Sequence, residues 1–228
     1  MLKFTPILLA VLYGLLMYRF SVWRTLKDLS ENSTRLRDPM ISSYLGDMAY
    51  ALGVPEIPVH IYEIDPINGL AAPDGRVFIT RGFYKAYSAG KITAEELTSV
   101  IAHELGHVAL GHSKRRMIDF SGQNALRTAL AMILGRFIPG LGIYIANLVT
   151  SVLAARLSQT AEFEADEYGA ALLQKSGIGV APQISMFEKL DQLTGGKRGA
   201  TPAWLLSHPK TETRINALKK MQNKWNSA

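Results

Sequence analysis

Cysteine is absent from the chain, which has 228 residues. Without thiolates, any metal site must be built from histidine and carboxylate side chains, and no disulfide framework can form. Histidine is also scarce, with five residues in the whole chain. A motif that places two of these five close together is therefore informative.

Nucleic-acid recognition patterns are missing too, although the chain is basic. Its formal net charge is +6 and its pI is about 9.5. Such a balance favours an anionic partner, either nucleic acid or the headgroups of a bilayer. The basic residues are dispersed, and no zinc-finger, aromatic-basic or glycine-rich phosphate pattern accompanies them. We therefore expect membrane lipid as a partner and no nucleic acid.

No uninterrupted apolar run reaches the roughly 20 residues that a membrane-spanning helix needs. The nearest is FTPILLAVLYGLLMY at residues 4–18, which Phe20 and Trp23 extend beyond Arg19. Because Arg19 can snorkel and aromatic residues suit the membrane interface, a single span is feasible. A cleaved signal peptide and a core helix are the alternatives. The predicted division of the chain is an N-terminal membrane anchor at 1–23, a linker at 24–39 and a globular domain at 40–228.

The basic residues around this segment lie mainly on its C-terminal side. Lys3 precedes the segment, whereas five basic residues follow it: Arg19, Arg24, Lys27, Arg35 and Arg37. The more basic flank of a span usually stays in the cytoplasm. The sequence therefore predicts a single-pass membrane protein whose globular domain is cytoplasmic.

Local patterns predict a mainly helical fold with a small β-sheet, of the α+β class. Strands are expected at 58–64 (PVHIYEI) and 77–80 (VFIT), which are β-branched and bounded by turn residues. Thr93 and Glu96 form a capping box, which opens a helix that continues to Gly111. Further helices are expected at 40–52, 158–175, 183–193 and from Thr211.

Residues 125–157 form an apolar segment that GRFIPGLG interrupts, so neither arm reaches 18 apolar residues. We expect a helical hairpin packed on the domain. A hairpin that dips into the membrane is the alternative.

The motif His-Glu-x-x-His occupies residues 103–107 of the helix that Thr93 opens. His103 and His107 are about 400° apart around the helix, so both imidazoles project from one face. That geometry lets both nitrogens reach one zinc ion at about 2.0–2.1 Å. Glu104 is one residue after His103, so its side chain points about 100° around the helix from that of His103 and can reach a water bound to the metal. We predict one zinc ion per chain.

A catalytic zinc needs a third protein ligand and an open position. Candidates lie in AEFEADEYGA at 161–170. One helical face carries Glu162, Ala165, Asp166, Gly169 and Leu173, and another carries Glu164, Glu167, Ala171 and Gln174. Carboxylates among small and apolar residues need a partner, because burying an unpaired charge is costly. We infer that Glu162 is the ligand and that Asp166 accepts a hydrogen bond from a ligand histidine. Glu164 is the alternative ligand.

His-Glu-x-x-His followed by Glu-x-x-x-Asp resembles the zinc metallopeptidase family that contains the bacterial heat-shock protease HtpX and the CAAX prenyl proteases. The resemblance covers most of residues 60–220 and rests on Asn68 followed by small residues, Thr80-Arg81-Gly82, HELGHVALGHS, EFEAD, and Ser207-His208-Pro209 with Arg214. It implies a zincin-like metallopeptidase domain at 40–228, Glu162 as a metal ligand and a bacterial inner-membrane location. The single N-terminal span and the sequence at 69–72 depart from the family's pattern, so HtpX's substrates are not carried over.

The resemblance also implies roles around the metal. Glu104 acts as general base, and His208 donates to the oxyanion because the resemblance places Ser-His-Pro at the active site. Arg214 holds a site carboxylate. For His208 the alternative is an ordinary histidine in a loop. For Arg214 the alternative is an ordinary basic residue in the first turns of a helix.

Substrate backbone is expected to bind by strand addition at Asn68 and at Val77, Phe78 and Ile79, unless these residues form an ordinary sheet edge. His112 is expected to be a helix-end histidine, because the helical period turns it about 140° away from His107.

The leading functional hypothesis is a membrane-anchored zinc metalloendopeptidase that acts on protein or peptide substrates in membrane protein quality control. A protease-derived binding or chaperone module that no longer cleaves is the alternative. The intact Glu104 argues against this alternative, because such a module can lose its general base freely. A zinc hydrolase of non-peptide substrates is a third hypothesis.

Overall fold

The computed structural model of the chain describes residues 5–138, 140–190, 193, 208 and 212–227. The elements in chain order are α1 (Thr5–Glu31), β1 (Ser33–Arg35), α2 (Pro39–Leu52), β2 (Val59–Tyr62), β3 (Gly69–Ala71), β4 (Val77–Thr80), α3 (Arg81–Ser88), α4 (Ala94–Ala109), α5 (His112–Phe137), α6 (Gly142–Lys175), α7 (Ala181–Lys189) and α8 (Glu212–Asn226). The mainly helical α+β class is therefore confirmed.

The small sheet has the strand order β1-β2-β4-β3. Strands β2 and β4 pair in parallel, whereas β1 and β3 pair antiparallel to their neighbours. Both predicted strands are present, at Val59–Tyr62 and Val77–Thr80. The sequence analysis missed β1 and β3, because a three-residue strand is too short to carry an alternating pattern.

Helix α4 lies at the centre of the domain. The predicted capping box is present: Thr93 accepts from the Glu96 backbone nitrogen, and Glu96 accepts from the Thr93 backbone nitrogen. The helix is buried along most of its length and contacts the sheet together with α2, α6 and α7. A buried helix has few ways to shift, so it is a firm support for functional side chains.

Helices α5 and α6 form a helical hairpin, but large apolar side chains on it, such as Met132, Phe137 and Leu148, are exposed, so packing of the hairpin on the domain stays a prediction. The two helices approach closely near their turn. A Cβ added at Gly142 would collide with the backbone nitrogen of Gly135. Helix α6 then continues without a break to Lys175, so the separate helix predicted from residue 158 is the second half of one long helix.

Helix α1 runs past residue 23, and the segment predicted as a linker contains its last turns and strand β1. Within the described residues, none of the helices has the length and apolar character required to cross a membrane. The side chains of Leu12, Leu16, Phe20 and Trp23 are nevertheless exposed on α1. The boundaries 1–23, 24–39 and 40–228 stay predictions.

Candidate metal centre

Helix α4 carries both motif histidines on one buried face. His103 and His107 are 2% and 3% exposed, and their Nε2 atoms are 3.1 Å apart. The rings meet edge-on, with their centroids 4.8 Å apart. The four-residue spacing therefore turns both Nε2 atoms toward one point, as the helical period predicts.

Small residues let α6 approach α4 closely. A Cβ added at Gly106 would lie 2.8 Å from the carbonyl oxygen of Ala165, and one added at Gly169 would lie 3.1 Å from a backbone nitrogen of α4. Bulkier side chains at these positions would push the two helices apart. Glycines at these two positions therefore permit the close approach of α4 and α6.

Glu162 on α6 faces the two histidines. Its Oε2 lies 3.5 Å from His103 Nε2, and its Oε1 lies 3.5 Å from His107 Nε2. The faces of α6 divide as the spacing predicts: Glu162, Ala165, Asp166, Gly169 and Leu173 are buried, and Glu164, Glu167, Ala171 and Gln174 are exposed. The structure therefore places Glu162, and not Glu164, beside the motif histidines.

Asp166 contacts His103 on the side of the ring away from Nε2. The Asp166 Oδ1 lies 2.9 Å from His103 Nδ1. Arg214 on α8 donates to both oxygens of this carboxylate, from Nε at 2.6 Å and from Nη2 at 2.9 Å, and lies 3.3 Å from Glu162 Oε2. Because the Asp166 carboxylate accepts from Nδ1–H, Nε2 of His103 is the nitrogen left for a metal.

Buried charges determine the electrostatics of this cluster. Burial by itself lowers the pKa of His103, but hydrogen bonds to Asp166 and Glu162 outweigh burial and raise the pKa to about 9. Burial opposes ionisation of both carboxyl groups, yet Arg214 and the site histidines hold their pKa values below the ordinary range. Both carboxylates are therefore ionised at neutral pH, and this favours a cation between them and the histidines.

The arrangement fits a zinc ion. Ligand atoms around a tetrahedral zinc with bonds of about 2.0–2.2 Å are about 3.3–3.5 Å apart. The separations among His103 Nε2, His107 Nε2 and the Glu162 oxygens are 3.1, 3.5 and 3.5 Å. The Nδ1 atoms of the two histidines already have partners, in Asp166 and His112. A metal ion between the two Nε2 atoms would displace the hydrogen that the raised pKa keeps on His103 Nε2 and would bind both nitrogens.

His208 lies beside the same cluster, whereas its neighbours in Ser207-His208-Pro209 are outside the described residues. Its Nδ1 is 2.9 Å from Glu162 Oε2, and its Nε2 is 3.4 Å from Glu104 Oε1. Together with Glu162 and the motif histidines, it offers ligand atoms that all lie within 4.8 Å of one another. His208 Nδ1 also lies 3.3 Å from His103 Nε2, so the geometry is compatible with a fourth ligand, and the role of His208 as a donor to substrate stays a prediction.

Glu104 lies close to strand β3. A Cβ added at Gly69 would lie 3.3 Å from Glu104 Oε1 and 3.1 Å from Val100 Cγ1, so a side chain there would require these two side chains to shift. Asn68 precedes this strand, and its backbone pairs with Thr80 at the end of β4. Gly69 is the first residue of β3, and because this strand was not predicted, the sequence analysis did not recognise the glycine as a point of close approach.

The structure corrects the expected position of strand addition. Strand β4, which contains Val77, Phe78 and Ile79, is paired on one side with β2 and on the other with β3. All three side chains are fully buried in hydrophobic clusters. Since β4 has no open edge, these residues cannot bind substrate backbone by strand addition. Within the part of the chain that the structure describes, the last strand of the sheet on the side of Glu104 is β3.

The sequence analysis missed the hydrogen bonds that connect His107, His112 and Glu164. His112 Nδ1 lies 2.9 Å from His107 Nδ1, and His112 Nε2 lies 3.0 Å from Glu164 Oε2. The helical period places His112 away from His107, but α4 ends before His112, so this period does not apply. The sequence analysis ended this helix at Gly111 but still applied the helical period to the next residue, His112.

The fold and this donor set define a zinc metallopeptidase, with His-Glu-x-x-His on one helix and a glutamate on another. The sequence profile described as peptidase family M48 matches residues 35–222. The chain therefore belongs to peptidase family M48, a family of zinc-dependent metalloproteases, and the resemblance to HtpX is confirmed.

Three relatives illustrate the similarity. The chain is 34% identical to the metalloprotease LoiP of Escherichia coli K12 over 141 residues, which cover 61% of this chain and 54% of LoiP. It is 28% identical to the metalloprotease YcaL of the same strain over 194 residues, covering 83% and 73% of the two chains. It is 27% identical to the protease HtpX of Ectopseudomonas mendocina over 182 residues, covering 65% and 59%. The chain thus spans only about half the length of LoiP.

Proposed function

We propose that this protein is a membrane-anchored zinc metalloendopeptidase in which His103, His107 and Glu162 hold the metal and Glu104 is the general base. The observation that carries the proposal is the convergence of two Nε2 atoms and one carboxylate, 3.1 to 3.5 Å apart, from two different helices. Glu104 follows His103 directly, so any metal held there lies within reach of its carboxylate.

The chain's own side chains account for the remaining steps of peptide hydrolysis. A bound zinc supplies a Lewis acid that polarises a carbonyl and lowers the pKa of water to about 7. Glu104 accepts a proton from the attacking water and passes it to the nitrogen of the leaving amine. His208 donates a hydrogen bond to the carbonyl oxygen as negative charge develops on it. The products are a carboxylate and a free amine.

The position of β3 supports a peptide as substrate. Among the residues that the structure describes, this strand is the last of the sheet on the side of α4, and a Cβ added at its Gly69 would lie 3.3 Å from Glu104 Oε1. A peptide bound in an extended conformation alongside β3, with Asn68 at the start of the strand, would place a backbone carbonyl beside the proposed metal position and His208, within reach of a water held by Glu104.

Replacing Glu104 by glutamine tests the proposal directly. The variant keeps the volume and the ligands but loses the proton acceptor, so it should bind one zinc per chain and cleave unfolded casein at background rate. Zinc is measured by mass spectrometry of the purified protein, and Glu167→Gln on the exposed face of α6 is the matched control. A fully active Glu104→Gln variant would refute the general-base assignment, and a wild type without proteolysis would favour the binding module.

Apolar side chains on α1 support the membrane anchor. Leu12, Leu16, Phe20 and Trp23 are all about half exposed to solvent, at 51%, 59%, 53% and 56%. A contiguous apolar surface of this kind is costly in water and typical of membrane contact. The full-length chain should therefore stay with membranes after alkaline extraction. Release into the soluble fraction would contradict the anchor.

The orientation follows from the basic residues after the anchor, which favour a catalytic domain in the cytoplasm of a bacterial cell. A reporter fused after Ala228 and active only in the cytoplasm tests this prediction, and activity only outside the cytoplasm would overturn it. The role in membrane protein quality control follows from the anchor together with the family. Proteins captured by Glu104→Gln, compared with those captured by wild type, identify the substrates.

A further inference from the structure

His112 is a buried histidine that the proposed reaction does not use. It is the first residue of α5 and is 2% exposed. The chain reverses direction at Gly111, which has φ of +70°, and this turn returns His112 toward the helix that it has just left. An imidazole that is buried needs partners for both ring nitrogens, so its contacts indicate its role.

Both ring nitrogens of His112 have a partner. Nδ1 lies 2.9 Å from Nδ1 of His107, and Nε2 lies 3.0 Å from Oε2 of Glu164 on α6. The carboxylate of Glu164 is 47% exposed, whereas the two histidines are buried. The three side chains therefore form one line of hydrogen bonds from the surface of α6 to a motif histidine.

The carboxylate determines the direction of the hydrogen bonds in this line. Because ionised Glu164 only accepts, Nε2 of His112 must carry the hydrogen between them. Neutral His112 then has a lone pair on Nδ1, so the hydrogen of the second contact belongs to Nδ1 of His107. This leaves the lone pair of His107 on Nε2, the nitrogen that faces His103 and Glu162.

We propose that His112 and Glu164 are positioning residues that fix the tautomer and ring orientation of His107 for metal binding. The inference rests on the proposed metal centre. On the other motif histidine, Asp166 performs the equivalent task directly, at 2.9 Å from Nδ1 of His103. Each ligand histidine thus has its own carboxylate, and that of His107 acts through a second imidazole.

The tautomer is measurable without metal or substrate. Two-bond ¹H–¹⁵N correlation spectra of metal-free protein, recorded at a pH at which His107 is neutral, should show hydrogen on Nδ1 and a bare Nε2. In His112→Ala the two tautomers of His107 should mix. Hydrogen on Nε2 of His107 in the wild type would overturn the inference. Because no zinc is needed, this result is independent of whether the proposed enzyme is active.

Zinc affinity, measured by competition with a chelator, provides the second readout. Loss of an orienting partner typically weakens metal binding by about 10–100-fold, and we expect this for His112→Ala and about tenfold for Glu164→Ala. His112→Asn should restore most of the affinity, because its amide oxygen can accept from His107 Nδ1–H. When Glu164→Ala is added to His112→Asn, zinc affinity should not fall further, because the shorter side chain at residue 112 no longer reaches residue 164.

Glu167→Ala is the matched control, because Glu167 is another exposed carboxylate on α6. It should bind zinc as tightly as wild type. If His112→Ala fails to fold, the zinc affinity of Glu164→Ala tests the inference instead, because a half-exposed carboxylate can be truncated without disturbing the core. Unchanged zinc affinity in the folded variants at positions 112 and 164 would refute the inference. Zinc binding that is indifferent to His103→Ala would instead refute the proposed metal centre, while the tautomer measurement still decides the role of His112.

Discussion

Gly106 of α4 packs directly against Ala165 of α6. A Cβ at residue 106 would lie 2.8 Å from the carbonyl oxygen of Ala165 and 2.9 Å from its Cα. Gly106 lies between the two motif histidines, and Ala165 lies between Glu162 and Asp166. This one contact therefore sets the separation of the helices that carry the proposed ligands.

Gly106→Ala should consequently destabilise the protein and weaken zinc binding. The added methyl group meets backbone atoms, and overpacking of this kind costs about 1–3 kcal/mol. Gly46→Ala in α2 is the control, because nothing lies within 4 Å of the new Cβ. That change should be neutral or stabilise by up to about 1 kcal/mol through helix propensity. Urea unfolding and zinc titration measure both variants, and equal behaviour of the two would contradict the close packing.

Glu162→Ala should lose most of its zinc while the domain stays folded. The variant removes the only α6 carboxylate that contacts both motif histidines among the described residues. Glu167→Ala, on the exposed face of the same helix, should retain one zinc per chain. Retention of stoichiometric zinc by Glu162→Ala would direct the search for the third ligand to Glu164 or Asp166.

Local patterns sufficed to predict much of the site. A four-residue spacing determines the shared face of His103 and His107 without knowledge of the tertiary fold. The same helical period divided α6 into a buried face with Glu162 and an exposed face with Glu164, as the structure has them. The capping box at Thr93 was predictable for a similar reason, since its contacts span three residues.

Contacts made across chain reversals were not predictable in this way. His112 and Glu164 are 52 residues apart, and no periodicity connects them. The prediction that His112 lies away from His107 applied the helical period past Gly111, where the chain turns and a new helix begins. The pairing partners of β4 were also unknown from sequence, because β3 has only three residues. Strand addition was therefore assigned to a strand in the interior of the sheet.

The variant His208→Ala distinguishes two possible roles of His208, as a hydrogen-bond donor to the oxyanion or as a zinc ligand. If His208 stabilises the developing oxyanion, the variant should keep its zinc, and kcat should fall by about 10²–10³-fold with a small change in KM. Its position supports this role, since Nε2 lies 3.4 Å from Glu104 Oε1. Zinc content and steady-state kinetics on a fluorogenic peptide measure the two quantities. Loss of zinc would show instead that His208 is a fourth ligand.

Glu96 should link the stability of the domain to pH. Burial raises the pKa of this carboxyl group, but hydrogen bonds from Lys189, Ser185 and the Thr93 backbone outweigh burial and lower the pKa below its ordinary value. A lowered pKa stabilises the fold above the unfolded pKa of about 4.3, and this stabilisation is lost as pH falls through the folded pKa.

Glu96→Gln should therefore cost about 2 kcal/mol at pH 7, the value of a hydrogen-bonded buried charge. The cost should shrink below about pH 4, where wild-type Glu96 is increasingly protonated. Urea unfolding between pH 3 and pH 7 measures the difference between the variant and wild type. Glu167→Gln, an exposed carboxylate, is the control and should leave stability at pH 7 unchanged. A difference between Glu96→Gln and wild type that does not vary with pH would show that ionised Glu96 does not stabilise the start of α4.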